Sequence, residues 1–81
     1  MDTKVKCDKV VDGLMPAEKI ARIQTADGKI EDIAVSVRSI SGDKLLASEI
    51  GRHEGKVLVE LPRESNSGRW RIWVKESSVG V

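Results

Sequence analysis

Apolar residues along this 81-residue chain fall mostly at alternate positions, the period of a strand with one buried face. The pattern is cleanest in the last third. Residues 56–61 are apolar at Val57, Val59 and Leu61, and residues 69–75 at Trp70, Ile72 and Val74. Residues 62–68 between them (Pro-Arg-Glu-Ser-Asn-Ser-Gly) have the composition of a loop. An antiparallel hairpin follows, and matching its apolar faces pairs Leu61 with Trp70, Val59 with Ile72 and Val57 with Val74. The opposite face then pairs Glu60 with Arg71 and Leu58 with Trp73, and sets Lys56 beside Lys75. A slip of one residue would bury Glu60 and Arg71, which costs more than the ~0.2–1 kcal/mol a cross-strand pair contributes. In this register Trp70 points inward and Trp73 outward, where Trp73 is either covered by the N-terminal segment or residues 48–55 as a second minor core or left free as a binding patch.

The rest of the chain is punctuated by turn signals every ten to fifteen residues or so, the rhythm of a small barrel or sandwich. Residues 4–11 alternate Val5 and Cys7 against Lys4, Lys6 and Asp8, and stop at Asp12-Gly13. Leu14-Met15-Pro16 reads as a loop, with room for one short helical turn at residues 16–19. A strand is expected over residues 19–25, then a hairpin at Ala26-Asp27-Gly28. The return strand, residues 30–38, places Ile33, Val35 and Val37 on one face, where Ala21 and Ile23 meet them. A turn at Ser41-Gly42-Asp43 leads into residues 44–47. Residues 48–55 read as an irregular connection anchored by Ile50. The expectation is one all-β domain over residues 1–81, a small closed barrel of five or six strands with at most one short helical turn. A small open sandwich is the alternative.

Composition supports strands. Val occupies ten positions and Ile seven against five for Leu, and β-branched side chains suit a pleated surface. There is no Phe and no Tyr, and Trp occurs twice, so the core is expected to be aliphatic. Fourteen basic and thirteen acidic residues are interspersed and create no long-range field. A binder of nucleic acid through bulk charge would be more basic. Only Arg63, Arg69, Arg71 and Lys75 lean one way. Cys7 is the sole cysteine, so no internal disulfide forms. No apolar run approaches the ~20 residues that span a bilayer, and the first residues lack a signal-peptide pattern. A cytoplasmic location is expected.

Residues 73–79 (Trp-Val-Lys-Glu-Ser-Ser-Val) resemble the end of a Src-homology-3-like barrel. There, a Trp-Val strand end precedes a short turn with Pro and Ser, and Tyr-Val opens the last strand. Trp73, Val74, Ser77 and Val79 match. Lys75 stands where the family has Pro, and Ser78 where it has Tyr. The resemblance implies a five-stranded barrel and does not carry polyproline binding with it, because that groove needs several aromatic side chains.

Little in the sequence suggests catalysis. His53 is the only histidine and has no partner at metal-ligand spacing. No serine sits in a nucleophile-elbow pattern. Cys7 alternates with Val5 and reads as a small buried hydrophobe. Glu31 and Asp32 are neighbours that would point to opposite faces of a strand, so they read as a solvated pair. No cofactor, metal or small-molecule substrate is expected. The leading expectation is a non-enzymatic interaction module. It would bind a protein, or a second copy of itself, through Trp73, Leu58, Arg71, Lys75 and Arg69. The alternative is a single-stranded nucleic-acid or RNA binder that uses the same face with Arg63 and Lys56.

Overall fold

A computed structural model describes residues 1–80, in eight strands and two one-turn 3-10 segments. The strands are β1 (Asp2–Lys6), β2 (Lys9–Asp12), β3 (Glu18–Gln24), β4 (Ile30–Ser36), β5 (Ile40–Ser41), β6 (Lys44–His53), β7 (Lys56–Glu60) and β8 (Arg71–Lys75). The 3-10 turns cover Val37–Ser39 and Glu76–Ser78. A five-stranded sheet runs β1-β6-β7-β8, with β5 also on β6. A three-stranded sheet runs β2-β3-β4. All pairings are antiparallel.

Local chemistry explains where the chain changes sheet. The amide of Cys7 donates to the Asp43 carbonyl, while the next amide, Asp8, donates to Arg22, each at 2.8 Å. Consecutive residues thus serve different sheets, and the run expected at residues 4–11 divides into β1 and β2. The β3–β4 hairpin turns at Gly28, and the β5–β6 hairpin at Gly42. Both glycines have positive φ, +83° and +66°, where a side chain would clash. Residues 48–53 are not a loop. They continue β6 along β7, with a bulge between Glu49 and Gly51. Such a bulge absorbs one extra residue and keeps the ladder going. Ile50 lies in that bulge, 42 % exposed, and anchors nothing.

The all-β class holds, but the closed barrel of five or six strands does not, nor does the limit of one helical turn. Strand pairing does not join the two sheets. They are bridged by single backbone bonds, from the Ala26 amide to the Trp73 carbonyl and from the Asn66 amide to the Asp32 carbonyl, both 2.8 Å. The strand count rises because of the early division and the two-residue β5.

The inward faces of both sheets meet in one aliphatic cluster. Ala21, Ile23, Ile33 and Val35 come from the smaller sheet. Val5, Leu45, Val57, Val59, Ile72 and Val74 come from the larger, with Cys7 and Leu61 at strand ends. The β7–β8 register is the expected one throughout, from Lys56 opposite Lys75 to Glu60 opposite Arg71. The amide of Leu61 adds one last bond to the Trp70 carbonyl (2.8 Å). Beyond it, the inward reading of Trp70 fails. The ladder has ended, the alternation no longer constrains the side chain, and Trp70 is 53 % exposed. Val37 likewise leaves the core face because β4 stops at Ser36, whose hydroxyl accepts from the Arg38 amide and opens the 3-10 turn. Burial, aided by the nearby Asp43 carboxylate, pushes the Cys7 thiol up to about 11.

Two outcomes are expected. Ile33→Ala removes a fully buried side chain and lowers the unfolding free energy in urea by about 2–5 kcal/mol, whereas Trp70→Ala changes it by under about 1 kcal/mol. The folded chain reacts with iodoacetamide at neutral pH far more slowly than the urea-unfolded chain, because its one thiol is both covered and held protonated.

Candidate functional site

The register of β6, β7 and β8 builds three rows across the outer face of the larger sheet. The middle row is Gly51, Leu58 and Trp73. One neighbouring row is His53, Lys56 and Lys75, and the other is Ser48, Glu60 and Arg71. Val57, Val59, Ile72 and Val74 lie beneath, buried, so the alternation commits their neighbours to the outside. Trp73 is 39 % exposed and Leu58 is half-buried. The glycine completes this row without a side chain, so Leu58 is uncovered on its β6 flank. A Cβ at Gly51 would meet Leu58 at 3.8 Å, an ordinary contact distance, so packing does not demand the gap. His53, Lys56 and Trp73 line a shallow recess at this end.

Most charges around the rows are already paired. The Arg71 Nε lies 3.2 Å from the Glu60 carboxylate, the cross-strand pair the register implies. Arg52 holds Glu49 through two bonds, Nε–Oε2 at 2.7 Å and Nη2–Oε1 at 3.0 Å, and its Nη1 lies 3.3 Å from Glu76. The hydrogen bonds from Arg52 keep the Glu49 carboxyl below the usual carboxylate range. His53 Nε2 lies 3.6 Å from Glu54 Oε2, a contact that is ionic only with a protonated imidazole. Among the described residues, Lys56 and Lys75 have no carboxylate within ion-pair distance, and they stand directly opposite one another.

The structure therefore brings Trp73, Leu58, Arg71, Lys75 and Lys56 to one face. Arg69 does not join them. Its Nε is 3.7 Å from Glu31, toward the smaller sheet. Arg63 sits exposed in the loop after β7. A basic track of Arg63, Arg69, Arg71 and Lys75 thus does not assemble.

Arg69 turns because of a polar clasp that joins the two sheets. Glu31 is not solvated. It is 4 % exposed, on the same face of β4 as Ile33 and Val35. Its Oε1 accepts from the Ser65 hydroxyl (2.7 Å) and the Ser67 hydroxyl (2.6 Å). Next to it, the Asp32 amide donates to the Asn66 side chain at 3.1 Å. A buried carboxylate must be met by donors in this way. The clasp ties the loop between β7 and β8 to β4 and so fixes the chain that enters β8. One signal for it was available: Glu31 has the parity of Ile33 and Val35. The serines, 34 and 36 positions away, carried none. Leu14 (98 % exposed) and Met15 (64 % exposed) form a second apolar outcrop on the β2–β3 loop.

Ser65→Ala removes a charge-assisted bond and is expected to cost about 1.5–3 kcal/mol, with faster amide exchange through residues 62–70. Hydrogen bonds from Arg22 to Asp32 and from Arg52 to Glu49 lower both carboxyl pKa values. Their stabilisation is present above the ordinary carboxylate range and is lost as pH falls through the lowered native values. The urea midpoint is expected to drop between about pH 5 and pH 2, and less so in Arg22→Ala.

Compared with known proteins, the chain matches no protein-family model, no curated protein and no solved structure.

Proposed function

We propose that the protein is a non-enzymatic interaction module whose contact surface is the outer face of β6–β8, centred on Trp73. One observation carries the reading: both indoles of a chain with no Phe or Tyr stand at the surface. An aliphatic core is complete without them. Indoles are highly buried on average, and exposed ones are characteristic anchors of protein interfaces. Trp73 rather than Trp70 is the anchor, because it sits mid-strand on a rigid sheet beside Leu58 and an empty glycine position.

A protein partner fits better than a nucleic acid. With Arg71 and Arg52 paired, and Arg69 drawn to Glu31, the face keeps two lysines, Lys56 and Lys75, with no carboxylate partner among the described residues. Neutralising two phosphates of a single strand gives a salt slope of only about −1.4, too small for binding driven by counterion release. The C-terminal order also supports the Src-homology-3-like reading of this end of the chain. A 3-10 turn follows β8, and Val79 then bridges to Val5. No helix is long and apolar enough to cross a membrane among the described residues.

The test compares the full chain with Trp73→Ala and Trp70→Ala. The Trp73 variant is expected to lose about 1 kcal/mol or less of stability, the cross-strand contact with Leu58. It should also lose whichever association the wild type shows, either concentration-dependent mass in sedimentation or a partner quantified by mass spectrometry. The Trp70 variant should retain it. Identical association by all three chains would remove the proposed surface.

A further inference from the structure

We propose that the partner is an extended acidic peptide segment. It would set an apolar side chain on the Leu58–Trp73 row and, two residues along, a carboxylate between Lys56 and Lys75. This inference rests on the reading of the Trp73 face given above and names the chemistry that face selects.

The face carries a local conflict. Lys56 and Lys75 are directly opposite across β7 and β8, an arrangement that disfavours the sheet when nothing neutralises it. Every arginine on or beside the three rows has a carboxylate partner, whereas these two lysines have none among the described residues. An anion placed between them would relieve the repulsion and meet two ammonium groups at once. The apolar and cationic rows are two residues apart along each strand, about 7 Å at strand rise. An extended peptide repeats that spacing between side chains i and i+2 on one side, so a segment with the pattern apolar-x-acid reaches both rows.

The surroundings limit the anion to a compact one. The side chains of Glu54 and Glu76 are 82 % and 59 % exposed, and each lies next to this end of the face, where the Glu76 amide donates to the Gly55 carbonyl at 2.9 Å. Glu60 stands across the other row, its side chain 44 % exposed. A phosphodiester strand continuing in either direction would leave the lysine pair for ion pairs already matched, Glu76 with Arg52 and Glu60 with Arg71, and would find no further cation to neutralise it there. One or two acidic residues of a peptide would stay within the lysine pair.

The experiment selects binders to the full chain from a random twelve-residue peptide library displayed on phage. Recovered peptides are synthesised and measured against wild type, Trp73→Ala and the double variant Lys56→Glu/Lys75→Glu, with folding of each confirmed by circular dichroism. Recovered peptides are expected to share an apolar residue with Asp or Glu two positions away. Trp73→Ala should abolish binding, and the charge reversal should weaken it by roughly tenfold. Exchanging the peptide's acid for Lys should restore affinity for the double variant. Peptides that require Trp73 but carry no acid, or that ignore the charge reversal, would overturn this inference and leave the interaction surface standing. Failure to recover any peptide that depends on Trp73 would overturn both. Tighter binding of the oligonucleotide dT12, with a salt slope well beyond −1.4 or so, would replace the peptide by a nucleic acid.

Discussion

The antiparallel register of β7 against β8 is the constraint from which the rest of the structure follows. Strand side chains alternate, so one choice of pairing assigns every residue of the ribbon to a face. Val57, Val59, Ile72 and Val74 go inward, and each is at most 3 % exposed. Lys56, Leu58, Glu60, Arg71, Trp73 and Lys75 go outward. Slipping either strand by one residue would bury two charged side chains, Lys56 and Glu60 or Arg71 and Lys75, under an aliphatic layer. Core and candidate surface are two sides of one decision, so the exposed indole is fixed as firmly as the buried valines.

The Glu31 clasp plays a complementary part. Only two single backbone bonds bridge the sheets among the described residues, and the buried carboxylate with its two serine donors fastens the loop before β8 to β4. The same contact draws Arg69 away from the outer face. A polar group inside the structure thus shapes the charge of a surface on the opposite side of the sheet. It leaves that surface with an indole, a leucine and two opposed lysines where the sequence offered a longer basic stretch.

The ribbon was legible in the sequence down to individual pairs because the charged ends of both strands, Lys56 and Glu60, Arg71 and Lys75, fix the parity of the apolar residues between them. Legibility ended where alternation ended. Trp70 has inward parity but follows the last paired residue, and only the bond between the Leu61 amide and its own carbonyl holds it. Residues 48–53 have polar, glycine-containing loop chemistry, yet a bulge lets them pair with β7. Closure into a barrel was not legible. It depends on whether the far edge of β4 meets a strand or, as found, the side chain and amide of Asn66. The site was half legible. Trp73, Leu58, Arg71, Lys75 and Lys56 come from one hairpin, whereas Gly51 and His53 enter only through the extension of β6.

Trp73 faces solvent on a sheet whose other side is the core. Replacing Trp70 with Phe leaves Trp73 as the only indole, and acrylamide quenching of the dilute folded chain then reports on it alone. With Trp73 39 % exposed, the expected quenching constant lies below that of the same chain in urea but far above that of a buried indole. A constant near zero in the folded state would place Trp73 under cover and contradict its exposure.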